Sequence, residues 1–423
     1  MGRVNSFSII GVRLPDGSAT DLHVAGGRLV DEAPTGARRI DADGLIALPG
    51  LVDPHTHLRE PGYESSETIA TGTAAAAHGG YTAVLAMPNT LPATDTPARV
   101  DAMVRLAVLT GSRAQVVPVG AVTADRDGQN LADLAGMAEM GVRVFSDDGA
   151  YVADPAVMRA ALHETARYDA VIAEHAQDPW LAGLDACCGD EALAAELGVA
   201  AWPAVAESVA VARDVQLALE AGARLHICHV TCPETLEILR WAKKRGVRVT
   251  AEVTPHHLLL DAKYLAGGDP TFKVNPPLRP AEDIDALRDA LTEGVIDMVG
   301  TDHAPHCAAD KPDDLSLALP GVTGLEQALG VVIETMVTTG RGDWSDLARW
   351  MSYAPAALAG LNNQGRPLFA GGPATLVLID PTRRAVVDRR ITASLSTNNP
   401  YHGLELPDPV MLTMRAGTIT YQR

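Results

Sequence analysis

Thr82-Ala83-Val84-Leu85-Ala86-Met87 is a short apolar run that gives way to Pro88-Asn89 and then to Asp101 to Leu109, a stretch of good helix formers. The unit recurs on both sides. Gln115-Val116-Val117-Pro118-Val119, Val142-Arg143-Val144-Phe145, Val171-Ile172-Ala173, Leu225-His226-Ile227-Cys228, Val247 to Val253 and Ile296 to Gly300 are runs of the same kind. Eight runs can be counted, ending near His57, Asn89, Thr123, Asp148, His175, His229, His256 and Asp302. Helix formers fill the intervals, as in Thr68 to Ala77 and Ala210 to Glu220. Runs this continuous predict strands buried on both faces, as in a parallel sheet. Eight alternating units predict an α/β fold of the (β/α)8 TIM-barrel type over residues 51–362. Such a fold gathers the C-terminal strand ends at one mouth, and the His, Asp and Asn residues fall there.

The flanks read differently. Residues 1–50 hold Ser8-Ile9-Ile10, Leu22-His23-Val24 and Arg28-Leu29-Val30, broken by Pro15-Asp16-Gly17 and Gly26-Gly27. Residues 363–423 hold Ala374 to Asp380, Met411-Leu412-Thr413-Met414 and Thr418 to Tyr421. Short strands with turn punctuation bury little core alone. Pairing the two ends into one small composite β-sandwich solves that.

Composition narrows the function classes. Of 423 residues, 47% are hydrophobic and 21% charged, which excludes a disordered chain. Thirty-four basic against 53 acidic residues give −19, which argues against a nucleic-acid groove or an anionic membrane surface. No apolar run is long enough to span a bilayer. The N-terminal Met1-Gly2-Arg3-Val4-Asn5-Ser6 lacks the apolar core of a signal peptide. Five cysteines (187, 188, 228, 232 and 307) in no zinc-ribbon spacing fit reduced thiols, and a cytoplasmic location is expected.

Asp53-Pro54-His55-Thr56-His57 closes the first run. Residues two apart on a strand share a side, so His55 and His57 can hold one metal ion together, although a lone His-x-His is as often a pair of hydrogen-bonded histidines. The remaining strand ends add Asp148 in Phe145-Ser146-Asp147-Asp148-Gly149, then His175, His229, and Asp302 in Thr301-Asp302-His303-Ala304-Pro305-His306. Four imidazoles and two carboxylates are what two divalent cations need, with a position left for water. His226 is out of phase with His229 and is expected to face away from the mouth. His23, His78, His163 and His402 have no partner pattern.

These residues carry a resemblance. Asp53 to Gly62 (with Leu58-Arg59-Glu60-Pro61-Gly62 after the histidines) resembles the signature of the dihydroorotases of the amidohydrolase superfamily. So do Met87-Pro88-Asn89-Thr90, Phe145 to Gly149, Thr254-Pro255-His256-His257, Lys273-Val274-Asn275-Pro276-Pro277-Leu278-Arg279 and Thr301 to His306, in order along nearly the whole chain. The resemblance implies two zinc ions per chain. His55, His57 and Asp302 would hold one and His175 and His229 the other, with Asp148 and a hydroxide bridging them. Many relatives, hydantoinases and allantoinases among them, bridge with a carbamylated lysine on the fourth strand. This chain has no lysine before Lys243, and Arg143 is nearest to that position. The bacterial class I dihydroorotases use an aspartate of the Asp-Asp-Gly motif instead; by spacing to His175 this is Asp148, with Asp147 the alternative.

The implied reaction interconverts L-dihydroorotate and N-carbamoyl-L-aspartate in pyrimidine biosynthesis. Asp302 would take a proton from water and return it to the ring nitrogen. Arg59, Asn89 and His306 would read the substrate carboxylate, and His57, Asn275, Pro320 and Gly321 complete the substrate contacts. Arg59 suits that task because its fork matches a carboxylate, the alternative being a surface salt bridge with Glu60 or Glu64. Lys273 is expected to be a solvated charge or one packed behind the site residues, and Cys307 to Pro320 a lid. The resemblance allows a homodimer and a complex with an aspartate transcarbamoylase. The rival readings are a hydantoinase or allantoinase and a non-catalytic scaffold for the transcarbamoylase.

Overall fold

The computed structural model describes residues 6–183 and 186–423. The N-terminal stretch read for a signal peptide lies, up to residue 5, outside the described residues.

Eight parallel strands form the centre: β1 (Leu51–Thr56), β2 (Tyr81–Ala86), β3 (Gln115–Pro118), β4 (Val144–Phe145), β5 (Val171–Glu174), β6 (Arg224–Ile227), β7 (Val249–Val253) and β8 (Met298–Val299). Neighbours pair in chain order from β1 to β3 and from β4 to β8. Two isolated parallel bridges close the gaps, Gly120 with Phe145 after β3, and His303 beyond β8 with Thr56 of β1. The circuit of pairings therefore returns to its first strand.

Side-chain alternation sorts each strand between two cores. Along β2, Ala83 and Leu85 join an inner cluster with Val52, Val144, Val171 and Met298. Val84 and Ala86 join the larger outer cluster, where Met103, Leu162, Val215, Leu239 and Leu287 pack from the surrounding helices. Ala356, Leu358 and Ala359 complete the inner cluster.

The helices obey local signals. Ile69–His78 starts at Thr68, whose side chain accepts from Thr71 N, and Pro97–Leu109 starts at Thr96 with proline in its first turn. The second begins before the Asp101 expected from composition, because the fixed φ of proline suits a first turn. Ala204–Ala221 extends Ala210 to Glu220 at both ends. An insertion between β5 and β6 pairs Ala186–Cys188 with Ala200–Ala201. No helix among the described residues is long and apolar enough to cross a membrane.

The two chain ends share one sheet. Strands Phe7–Arg13, Ala19–Ala25, Arg28–Val30, Arg38–Asp41 and Ile46–Pro49 join Leu376–Ile379, Val410–Arg415 and Thr418–Gln422. Ile46–Pro49 pairs antiparallel with Leu376–Ile379, which joins the N-terminal strands to the C-terminal ones. A separate hairpin joins Arg384–Val386 to Glu405–Pro407. Ile9, Val24, Leu376, Leu412 and Met414 form the core of this end.

Candidate metal centre and active-site cavity

The strand ends bring His55, His57, Asp148, His175, His229 and Asp302 into one buried cluster. Asp148 stands in the middle. Its Oδ1 lies 3.3 Å from His55 Nε2 and 3.5 Å from both His175 Nδ1 and His229 Nε2, and its Oδ2 lies 3.3 Å from His57 Nε2. Asp302 Oδ1 is 3.0 Å from His57 Nε2 and 3.6 Å from His55 Nε2. Ligands about 2.0–2.1 Å from a tetrahedral zinc are separated by roughly 3.3 Å, so these gaps match the edges of a coordination polyhedron. Among the described residues His55 Nε2 and Asp148 Oδ1 find no hydrogen-bond partner, although both are buried and point into the cluster. Unpaired buried polar atoms are costly, and a divalent cation would satisfy them. The donor set fits such ions.

Three of the site residues hold left-handed backbone conformations, Arg59 at φ 62°, His229 at φ 33° and Asp302 at φ 45°. Non-glycine residues reach this region rarely, and they concentrate at sites where the surrounding structure over-determines them. Asp147, the neighbour of Asp148, turns the other way. Its Oδ1 accepts from Val122 N at 2.8 Å and Thr123 N at 3.1 Å, and its Oδ2 from the Thr123 hydroxyl.

Partners behind the cluster orient it. Glu252 Oε1 lies 2.6 Å from His55 Nδ1 and its Oε2 lies 3.2 Å from His226 Nε2. Burial would raise the Glu252 carboxyl, but the charge of His55 and the hydrogen bonds from His226 and His55 hold it down at about 2. Burial likewise works against ionised Asp302, and His55 and His57 outweigh it, keeping the carboxylate well below its usual range. Cys228 lies close enough to His55 and Glu252 to form a third trio, but burial pushes its thiol up, so it is a poor ligand.

A cavity of about 160 Å³ opens over the cluster, lined by every site residue expected from the sequence except His55, which lies beneath it. Arg59 Nε donates to the Pro305 carbonyl at 3.1 Å, and its Nη2 lies 3.3 Å from His306 Nε2. The surface salt bridge does not form: Glu60 accepts from Ile69 N and Glu64 from Gly62 N, both at 2.8 Å. Burial and the charge of Arg59 hold His306 down to about 3, so its ring is neutral and donates from Nε2 to the Pro320 carbonyl at 2.9 Å. Asn89 Oδ1 accepts from His57 Nδ1 at 2.9 Å. Gly321 has φ 138°, and a Cβ there would sit 2.7 Å from Ala304 Cβ and 3.0 Å from His306 Nε2. Asn275 faces the same space from the side of His175.

Lys273 is not solvated. It is buried, and its Nζ donates to the Leu315 carbonyl at 2.7 Å. Lys311 Nζ donates to the carbonyls of Pro270 and Lys273 at 3.1 and 3.0 Å. Two of the five lysines thus pin the segment expected to be a lid. Arg143 donates to the Ala138 and Val142 carbonyls from the residue just before β4, at the end opposite the cluster. His226 faces away from the mouth as expected, bonded to Thr250 Oγ1 at 2.8 Å.

Sequence reading missed Glu252, Gln177 and Asn398. Glu252 was visible as an acid inside an apolar run. Asn398, far along the chain, donates to the carbonyls of Ala304 and Gly321 and accepts from His306 N, clamping the cavity wall. No local signal marks it.

The family model for dihydro-orotase-like proteins matches residues 44–235. A dihydroorotase of Leifsonia xyli subsp. xyli is 49% identical over 98% of this chain and 96% of its own length. The chain belongs to the dihydroorotase family. Other dihydroorotases are similarly close: that of Streptomyces coelicolor is 51% identical over 91% of this chain and 90% of its own, and that of Mycobacterium tuberculosis 47% over 98% of each. Among solved structures, the L-hydantoinase (dihydropyrimidinase) of Arthrobacter aurescens has a TM-score of 0.87 at 27% identity, covering 99% of this chain and 96% of that one. The dihydropyrimidinase of Brevibacillus agri has a TM-score of 0.85 at 23% identity, with 99% and 95% covered, a likeness of fold alone. Dihydroorotases are hydrolases of cyclic amides, and this chain is such an enzyme.

Proposed function

We propose that this chain interconverts L-dihydroorotate and N-carbamoyl-L-aspartate at the cavity above the six-residue cluster, in pyrimidine biosynthesis. The observation that carries the reading is one cavity that joins the cluster to Arg59, whose guanidinium makes no ion pair among the described residues. A half-buried guanidinium without a carboxylate partner, facing a cavity, is a receptor for one.

His55, His57 and Asp302 would hold one zinc ion and His175 and His229 a second, with Asp148 between them. Ions bound there supply Lewis-acid polarisation of the amide carbonyl and lower the pKa of water. The chain's own residues do the rest. Arg59 takes the substrate carboxylate in its fork, beside neutral His306 and the amide of Asn89. Asn275 and the backbone at Pro320 and Gly321 meet the ring, and Gly321 permits that approach because it lacks a Cβ. Asp302, ionised at neutral pH, accepts a proton from the attacking water and delivers it to the ring nitrogen as the amide bond breaks. In the reverse direction the same carboxylate receives the proton of the ureido nitrogen.

The fold that supports this reading is a (β/α)8 TIM-type barrel over residues 51–362 with a composite β-sandwich from residues 1–50 and 363–423. The closed circuit of pairings and the shared terminal sheet speak for it. A cytoplasmic location, a homodimer and a complex with an aspartate transcarbamoylase belong to the same proposal.

The test is turnover of dihydroorotate, hydantoin and allantoin side by side by the chain incubated with zinc, with bound metal measured alongside. Opening of dihydroorotate alone supports the reading. Opening of hydantoin or allantoin without dihydroorotate replaces it with the rival cyclic amidase. Turnover of none of them, with no divalent ion bound, leaves the scaffold reading.

A further inference from the structure

Two residues past His175, the half-buried side chain of Gln177 touches both halves of the site. Its Oε1 lies 2.8 Å from His175 Nε2 and 2.9 Å from Asn275 Nδ2. The backbone there is held: Asp178 N donates to the Ala206 carbonyl at 2.9 Å, and Asp178 Oδ1 accepts from Trp180 N at 3.0 Å.

We propose that Gln177 is a positioning residue that couples the ligand cluster to the substrate cavity. Its carbonyl fixes the tautomer of His175 and turns the carbonyl of Asn275 toward a substrate N–H. The inference rests on the function proposed above and names one feature of the substrate that the site reads.

A neutral imidazole has one N–H and one lone pair. His175 Nδ1 faces the cluster, 2.9 Å from His229 Nε2 and 3.5 Å from Asp148 Oδ1. To offer a lone pair there, the ring must carry its proton on Nε2. An acceptor at Nε2 secures that arrangement and raises the basicity of Nδ1. Gln177 Oε1 is that acceptor.

The same oxygen decides which way Asn275 points. With Nδ2 donating to Gln177, the end left over is Oδ1, which is buried and has no partner among the described residues. Turning the amide over would set two carbonyl oxygens against each other, so Gln177 forbids it. A buried acceptor left unpaired is costly, and the cavity that Asn275 lines is where a ligand donor can reach it. Dihydroorotate carries an N–H on each side of its urea carbonyl, and N-carbamoyl-aspartate keeps ureido N–H groups after opening. An acceptor therefore serves both ends of the reaction.

The test compares zinc-loaded wild type with Gln177→Met, which fills the space without an acceptor, and Gln177→Glu, which offers only acceptors. In Gln177→Met, KM should rise roughly 10-fold with a smaller change in kcat, and zinc should be lost to a competing chelator at roughly 10-fold lower chelator concentration. Gln177→Glu should return both readouts to within about threefold of wild type. Wild-type KM and zinc retention in the Met variant would overturn the proposal, as would equal damage in both variants. If the Met variant does not fold, the Glu variant decides: near-normal KM supports the acceptor role, and a raised KM contradicts it. Absence of dihydroorotate turnover in wild type would instead remove the proposed function, and zinc retention in the two variants would still decide the role of Gln177 at His175.

Discussion

His55 Nδ1 and Glu252 Oε1 are 2.6 Å apart, buried on β1 and β7, and separated by 197 residues of sequence. The contact leaves His55 Nε2 free to face Asp148 and Asp302. A carboxylate behind a ligating imidazole fixes its tautomer and strengthens it as a donor. Glu252→Gln keeps the shape and removes the charge. It should weaken divalent-ion binding by about 10–100-fold, read by chelator competition, while the fold persists by circular dichroism. Unchanged binding would mean that Glu252 serves packing alone.

Asp302→Asn preserves size and loses the proton acceptor. Positioned acid–base groups contribute about 10²–10⁴-fold, so turnover should fall at least that far in protein that still melts cooperatively. Near-normal rates in the variant would remove the proton shuttle from the mechanism.

Arg59→Lys separates substrate binding from metal binding. Lysine has no planar fork, and a hydrogen bond to a charged group is worth about 1.5–3 kcal/mol, so KM should rise roughly 10–100-fold. Metal content should stay at the wild-type value, because Arg59 contacts Pro305 and His306 and none of the cluster donors within hydrogen-bond distance. Parallel loss of metal would assign Arg59 to the scaffold of the site.

Much of this arrangement was legible in the sequence. The apolar runs located the eight strands, and six of the residues that end them line one cavity because parallel neighbours align their ends. Spacing to His175 favours Asp148 over Asp147, although the motif alone fits either. The structure separates them by contacts, with Asp147 engaged by Val122 and Thr123. Glu252 stood out as an acid inside an apolar run, but its partner His55 lies on β1, which only closure of the circuit brings within reach. Asn398 was hidden more deeply, since it enters from a C-terminal segment read as part of the flanking strands. Lys273 is buried rather than solvated because the Leu315 carbonyl accepts from its ammonium in place of water.

Lys311 supplies a pH dependence away from the cluster. Burial, with the charge of Lys273 adding to it, lowers its pKa to about 7 from an ordinary 10.5. Between those values the unfolded chain binds the proton and the folded chain does not, so stability rises with pH through that window and the gain is lost below about 7. Lys311→Met should flatten this part of the profile, measured as the difference in Tm between variant and wild type from pH 6 to 10. Parallel profiles would show that Lys311 titrates normally.

In the proposed enzyme six side chains, with no lysine among them, hold a pair of divalent ions that the reaction requires. The direct measurement is a zinc titration of metal-stripped protein, following dihydroorotate turnover and bound metal together. Activity should be absent at the start, return with added zinc, and level off at two ions per chain. Full activity in stripped protein, or no activity with both ions bound, would contradict the account.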